Sequence, residues 1–364
     1  VSPAPSASPP SAVPFDGLTP DTVLDALDGV GLRGDGRLLQ LNSYENRVFQ
    51  VFLEDGRVLV AKFYRPGRWS DAQILEEHAF AAELAADECP VVAPWPLRPQ
   101  ADARLPTRLC RPDGAPGGDA GTGAGTDPAI GTLAEVSTPG GAYRFAVAER
   151  RAGRGPELED AGTLAWIGRL LGRMHRVGAR ERFVQRPRVD VDTLGQAARD
   201  LLLAGDWLPP DVKPRWQATV DRLLEHARRA FDAAGARTDL RLHGDCHIGN
   251  ILWTAAGPHF VDLDDCASGP AVQDLWMLLS GDPGSLRAEA RRLLEGYEQF
   301  MDFDDAELAL VEPLRSLRMI HHSAWIARRW SDPAFPAAFP WFGQGNYWAQ
   351  KLSELQEQLD RAEG

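Results

Sequence analysis

Asp245, Asn250 and Asp262 are the residues of this chain whose types and spacing point most specifically to chemistry. They lie in the stretch 241–265, R-L-H-G-D-C-H-I-G-N-I-L-W-T-A-A-G-P-H-F-V-D-L-D-D. Asn250 follows Asp245 by five residues, and Asp262 ends a short apolar run. Phosphoryl transfer needs one carboxylate to accept a hydroxyl proton. It also needs a second carboxylate and an amide oxygen to hold Mg²⁺ on nucleotide phosphates. Asp245, Asp262 and Asn250 supply those groups in turn, at a spacing suited to a single catalytic loop.

Other side chains extend the constellation. Lys62 stands in V-L-V-A-K-F-Y, near the end of an alternating segment, and the chain has only three lysines, Lys62, Lys213 and Lys351. A compact ammonium among strand residues suits nucleotide phosphates, whereas an ordinary edge-strand lysine would reach out to water. Such a lysine needs an acidic partner on the following helix. Glu76 and Glu77 are the candidates, with Glu77 favoured, although either one alone reads as a solvated helix-face charge. The turn L-N-S-Y-E-N-R-V lacks a G-x-G-x-x-G cradle, but Ser43, Tyr44, Glu45 and Asn46 offer a hydroxyl and backbone N–H groups; a plain turn fits equally well. His243 reads as a loop brace and His247 as a loop or phosphate contact. Asp264 is a second ligand or a turn former, Asp265 is structural, and Asp274 is a helix-borne anchor for the loop. His175 reads as a satisfied core histidine. Two other classes compete. His243, Asp245 and His247 with Asp262 resemble a metallohydrolase site, which would not require Asn250 at its offset and would leave Lys62 without a role. A non-catalytic nucleotide-binding scaffold would not need the full set.

The elements must hold these groups together. At 364 residues, 44% apolar and 25% charged, the chain suits a soluble globular protein folded as one two-lobed unit or as two domains. A formal charge of −13 argues against a nucleic-acid or anionic-membrane partner. No apolar run approaches the roughly 20 residues that span a bilayer. Cys89, Cys110, Cys246 and Cys266 show no C-x-x-C spacing and read as reduced thiols of a cytosolic protein. Cys246, beside Asp245, reads as a small residue filling a tight loop ahead of a redox sensor.

The Pro/Ser/Ala-rich opening does not read as a signal peptide, and residues 1–17 are expected to be a disordered arm. A short helix is expected over 19–27, then strands over 37–41, 47–53 and 57–63 with a hairpin turn at Glu54-Asp55-Gly56. Ser70-Asp71 opens a helix, and 91–97 and 143–149 read as further strands. Residues 104–141, rich in Gly and Pro, are expected to be a disordered insertion. Helical periods follow from residue 163 onward: 163–177, 193–204, 212–234, 271–279, 285–300, 305–330 and 347–361. The fold class is thus α+β: a β-rich N-lobe over 18–150, a link near 150–156, and a mainly helical C-lobe over 151–364 with the catalytic loop at 241–265. A ligand cleft belongs at the interface.

H-G-D-x-x-x-x-N with a downstream Asp resembles the aminoglycoside phosphotransferase/choline kinase-like superfamily, whose fold is similar to that of protein kinases. Further segments, L-N-S-Y-E-N-R-V, V-A-K-F-Y-R-P, Q-I-L-E-E-H, F-V-D-L-D-D, Q-D-L-W-M-L-L and R-R-W-S-D-P-A-F-P, resemble the bacterial stress response kinase A family over most of residues 18–348. That resemblance implies a protein-kinase-like two-lobed fold and a cytoplasmic serine/threonine protein kinase of the stress response. It makes Asp245 the proton acceptor and Asn250 and Asp262 the Mg²⁺ ligands. It also implies that Ser43 touches ATP, that Lys62 holds phosphates, and that the adenine lies against the link, with backbone groups from Glu149 to Ala152 making the hinge bonds. The departure is the lack of an A-P-E element, which leaves the docking of a protein acceptor without a motif. The expected enzyme transfers the ATP γ-phosphoryl group to a Ser/Thr hydroxyl as a monomer, with an amino alcohol or sugar as the alternative acceptor.

Overall fold

The computed structural model describes residues 13–111, 130–158, 160–235, 239–255, 257–279 and 283–363. Helix α1 (Pro20–Asp28) starts at Thr19, whose side chain accepts from the Thr22 amide, with proline at the first helical position. Val23, Ala26 and Leu27 on one face of it are buried against a sheet. Strands β1 (Gly34–Leu41), β2 (Arg47–Leu53) and β3 (Val58–Phe63) follow. The alternation of β3 buries Leu59, Ala61 and Phe63 in the lobe core, so Lys62 points to the opposite face. Helix α2 (Asp71–Ala86) opens with a capping box between Ser70 and Gln73.

Residues 91–97, expected as a strand, form only isolated backbone bridges, to Phe260, Ala148 and Gly131. Pro90, Pro94 and Pro96 remove the N–H groups that a ladder would need. The expected disorder of 104–141 is also corrected. It contains β4 (Thr107–Leu109) and β5 (Ala134–Thr138), and β6 (Gly141–Glu149) begins at its end. The Gly/Pro-dominated composition hid short strands whose order comes from the sheet they join, β5 pairing with β6 and β4 with β5; residues 112–129 lie outside the described residues. Likewise residues 1–12 of the expected arm lie outside them, but Phe15 is buried and stacks on Tyr143, and the Gly17 amide donates to the Tyr143 hydroxyl at 2.9 Å. The six strands form one antiparallel sheet in the order β1-β2-β3-β6-β5-β4.

Beyond the link the chain is mainly helical. Helices α3 (Ala161–Gly178), α4 (Ala197–Ala204), entered through a wide π turn, and α5 (Lys213–Ala234) precede strand β7 (Leu240–Leu242). The hairpin β8 (Ile251–Thr254) and β9 (Gly257–Phe260) follows, then β10 (Ala267–Gly269), which pairs back on β7. Helices α6 (Gln273–Trp276), α7 (Pro283–Tyr297), α8 (Val311–Arg329), α9 (Ala334–Ala338) and α10 (Gly345–Glu363) complete the lobe. The architecture is the expected α+β one. Phe80, Ala81 and Leu84 of α2 belong to the same apolar cluster as α3, β7 and β8, so the N-lobe helix is rooted in the C-lobe core. The link runs beside the hairpin, where Arg154 and Trp253 exchange backbone hydrogen bonds at 3.1 and 2.6 Å. Among the described residues no helix is long and apolar enough to cross a membrane.

Candidate active site

The loop after β7 is fixed before any ligand is considered. Asp274 on α6, fully buried, accepts from the His243 amide at 2.7 Å and the Gly244 amide at 2.8 Å, and His175 Nε2 lies 3.1 Å from its carboxylate. Nδ1 of His175 meets the Tyr297 hydroxyl at 2.8 Å, so the anchor expected at Asp274 and the satisfied histidine expected at His175 are one network. Gly244 has φ +86°, and a Cβ there would stand 2.0 Å from the Asp265 carbonyl oxygen; only glycine fits. His243 turns inward and donates from Nε2 to the Val261 carbonyl at 2.9 Å, the bracing role read from the sequence.

Asp245 projects from this braced loop. Its Oδ1 accepts from Arg318 Nη1 of α8 at 2.6 Å, and its Oδ2 lies 3.4 Å from His247 Nε2. Burial alone would raise its pKa; the His247 hydrogen bond and the Arg318 charge more than offset that and hold it well below the usual carboxylate range. Asn250 donates its side-chain N–H to the Asp245 carbonyl at 3.0 Å, which leaves the amide oxygen as an acceptor. The metallohydrolase geometry does not form. His243 faces Val261, His247 Nδ1 accepts from the Gly249 amide at 3.0 Å, and among the described residues no three His, Cys, Asp or Glu side chains are arranged to hold a metal.

Asp262, in the left-handed region at φ +62°, presents a half-exposed carboxylate. Lys62 reaches it at 3.2 Å and lies 2.9 Å from Asp264 and 3.9 Å from Glu77. Burial would favour a neutral amine, but Asp264, Glu77 and Asp262 overcome it and keep the ammonium charged well past the ordinary lysine range. Burial pushes the Glu77 carboxyl up to about 7, and Lys62 opposes that rise. The structure separates the two acids of α2. Glu77 faces Lys62, whereas Glu76 accepts from the amides of Val184, Gln185 and Arg186.

Asp264, left open between ligand and turn former, is a buried clamp: it binds Lys62, accepts from Asn46 at 3.1 Å, and pairs with Arg68, which also binds Asp265. Ser43 accepts from the Asn46 amide at 3.3 Å and so closes the β1–β2 turn beside that clamp. Glu149 ends β6 and pairs with Arg151 at 2.7 Å on the surface. Cys246 is fully buried and its thiol is pushed well above its ordinary pKa by that burial, which supports the filler reading. Sequence reasoning missed Arg68, Arg318 and the pair Arg65–Asp332 at 2.7 Å, which backs the β1–β2 turn. The segments V-A-K-F-Y-R-P and R-R-W-S-D-P contain the two members of that last pair, but nothing in either shows that they meet.

A family model described as a phosphotransferase enzyme family matches residues 37–311. The chain is 41% identical over 352 residues to stress response kinase A of Escherichia coli (strain K12), covering 96% of this chain and 94% of that one. It is 39% identical over 351 residues to the serine/threonine protein kinase RdoA of Salmonella typhimurium, with the same coverage of 96% and 94%. Among solved structures it is similar to the amicoumacin kinase hAmiN in complex with AMP-PNP, Ca²⁺ and Ami, with TM-score 0.65, 19% identity and coverage of 94% and 93%. It is also similar to a microcompartment-associated aminopropanol kinase, with TM-score 0.61, 17% identity and coverage of 94% and 98%. The chain therefore belongs to the phosphotransferase enzyme family and, within it, to the stress response kinase A family.

Proposed function

We propose that this enzyme transfers the γ-phosphoryl group of ATP, with Mg²⁺, to a serine or threonine hydroxyl of a protein, and that it works in the cytoplasm as a monomer. The observation that carries the reading is the contact of Lys62 with Asp262 at 3.2 Å, with Asp245 and Asn250 on the loop just before. Asp262 and the free amide oxygen of Asn250 are hard oxygen donors that fit Mg²⁺, which takes one or two protein ligands and fills the rest from phosphates and water. When bound, the ion withdraws charge from the phosphate oxygens. Lys62, oriented by Glu77, binds phosphate, and the Ser43 turn covers it. The adenine lies against the link, with backbone groups from Glu149 onward as its partners. Asp245 orients the acceptor hydroxyl and takes its proton.

Asp245→Asn is expected to lower kcat by roughly 10²–10⁴-fold while sparing ATP binding. Asp262→Ala is expected to abolish Mg²⁺-dependent nucleotide binding. The test is incubation of the pure protein with Mg²⁺ and γ-labelled ATP, alone, with a generic protein acceptor, and with a panel of small alcohols. Mass spectrometry then locates the label. Label on Ser or Thr that vanishes in Asp245→Asn supports the reading; undiminished turnover by that variant removes Asp245 as the base. A small-molecule acceptor is the second reading, favoured by one observation: the chain passes from the Asp262 turn directly into β10 and α6, without a segment that would dock a protein substrate. Label confined to the alcohols would select it.

A further inference from the structure

We propose that Arg318 is a further catalytic residue, whose guanidinium leaves Asp245 when substrates bind and then holds the oxygens of the transferring phosphoryl group. The inference rests on the kinase reading above and assigns a group that the loop motif does not contain. Three observations converge on it.

The first is position. Arg318 Nη1 lies 2.6 Å from Asp245 Oδ1. An acceptor hydroxyl bonded to that carboxylate must have the γ-phosphorus about 3–3.5 Å from its oxygen. A guanidinium already on the same carboxylate therefore reaches phosphoryl oxygens by side-chain rotation alone.

The second is capacity. α8 buries Leu314, Leu317, Ile320 and Ala324, while the Arg318 side chain is 46% exposed. Among the described residues Asp245 is its one hydrogen-bond partner, which leaves most of its five N–H donors for a planar oxyanion.

The third is that the pair is not needed to shape the loop. Asp274, His243, Asn250 and Gln273 already fix residues 243–250 through backbone groups. Lys62 and Arg68, the cations around Asp262, pair with Asp264, Asp262, Glu77 and Asp265 and not with Asp245. Among the described residues, the side chains that contact the Asp245 carboxylate are Arg318 and His247, and of the two Arg318 carries the permanent charge.

In the step, the acceptor O–H proton passes to the Asp245 carboxylate while the hydroxyl oxygen forms its bond to the γ-phosphorus. The bond from that phosphorus to the β,γ-bridging oxygen breaks, and its electron pair leaves on ADP. Arg318 donates N–H bonds to the non-bridging oxygens as they spread their charge.

The test compares wild type, Arg318→Ala and Arg318→Lys by steady-state kinetics and by binding of Mg·ADP with and without aluminium fluoride, a mimic of the transferring group. Arg318→Ala is expected to lose about 10²–10³-fold in kcat, with KM for ATP changed less than about threefold. It should bind Mg·ADP normally but lose the tightening by aluminium fluoride. Arg318→Lys and added guanidinium ion should each restore part of the rate. An unchanged or raised kcat in Arg318→Ala overturns the inference, as does unaltered tightening by aluminium fluoride. Wild-type turnover with either result overturns this inference alone; a wild type that binds no nucleotide overturns the proposed function together with it.

Discussion

Buried titratable side chains around Lys62 give the residue scale its clearest test. His78 lies between the Tyr64 hydroxyl and Thr132 Oγ1, both at 2.8 Å, and is 2% exposed. Burial, followed by the charge of Lys62, pushes its pKa down to about 3 from 6.5. The folded state therefore keeps it neutral where the unfolded chain takes up a proton. Its contribution is complete above the unfolded value and declines as pH falls toward the folded one. Relative to His78→Gln, which keeps a donor and an acceptor but no titration, wild type should lose about 2 kcal/mol of stability between about pH 7 and 5. Denaturant unfolding of both proteins at the two pH values measures this. Parallel changes would mean that His78 is protonated in the fold. Glu77, pushed up to about 7, acts in the opposite direction but is common to both proteins and cancels.

At the scale of elements, the anchor of the catalytic loop depends on how closely α3 and α7 approach. A Cβ on Gly168 would stand 1.9 Å from the Leu293 carbonyl oxygen, on Gly172 2.4 Å from that of Tyr297, and on Gly296 1.9 Å from that of Ala165. These contacts are with backbone, so no rotamer change relieves them. Tyr297, set by this packing, carries the hydroxyl that meets His175, which in turn meets Asp274. Gly172→Ala is therefore expected to cost about 1–3 kcal/mol, despite alanine's better helix propensity. It should also speed amide exchange at His243 and Gly244, whose N–H groups Asp274 holds. Equal stability together with unchanged exchange would show that the two helices can separate without cost.

Across the whole molecule, the two lobes are tied by ion pairs that flank the proposed nucleotide site. Arg65 and Asp332 are 4% and 2% exposed, and Arg65 also donates to the Tyr44 and Glu45 carbonyls. Glu45 itself accepts from Trp325 at 2.7 Å and Arg329 at 2.8 Å of α8. The β1–β2 turn is thus held from the C-lobe. Asp332→Ala removes one of the two carboxylates paired with the buried Arg65 guanidinium, Glu45 at 3.1 Å being the other, and is expected to cost about 1–3 kcal/mol. Because the turn loses its backing, KM for ATP should rise with it. A stability loss without any change in KM would confine the pair to structure.

Much of this site was legible in the residues themselves. The Asp245–Asn250–Asp262 spacing, the alternation that turns Lys62 away from the lobe core, and the capped start of α2 are all local properties. Period and short-range bonding determine them whatever the rest of the chain does. Tertiary structure decided the partners. Glu76 and Glu77 are neighbours in sequence but diverge by about 100° around a helix, so only packing could assign Glu77 to Lys62. Asp264 became a clamp because Asn46 and Arg68 arrive from the other lobe. Arg318 met Asp245 from 73 positions away. Strands β4 and β5 formed inside a segment whose composition signals disorder, since a short strand is stabilised by the ladder it joins, and each partner, β5 for β4 and β6 for β5, lies further along the chain.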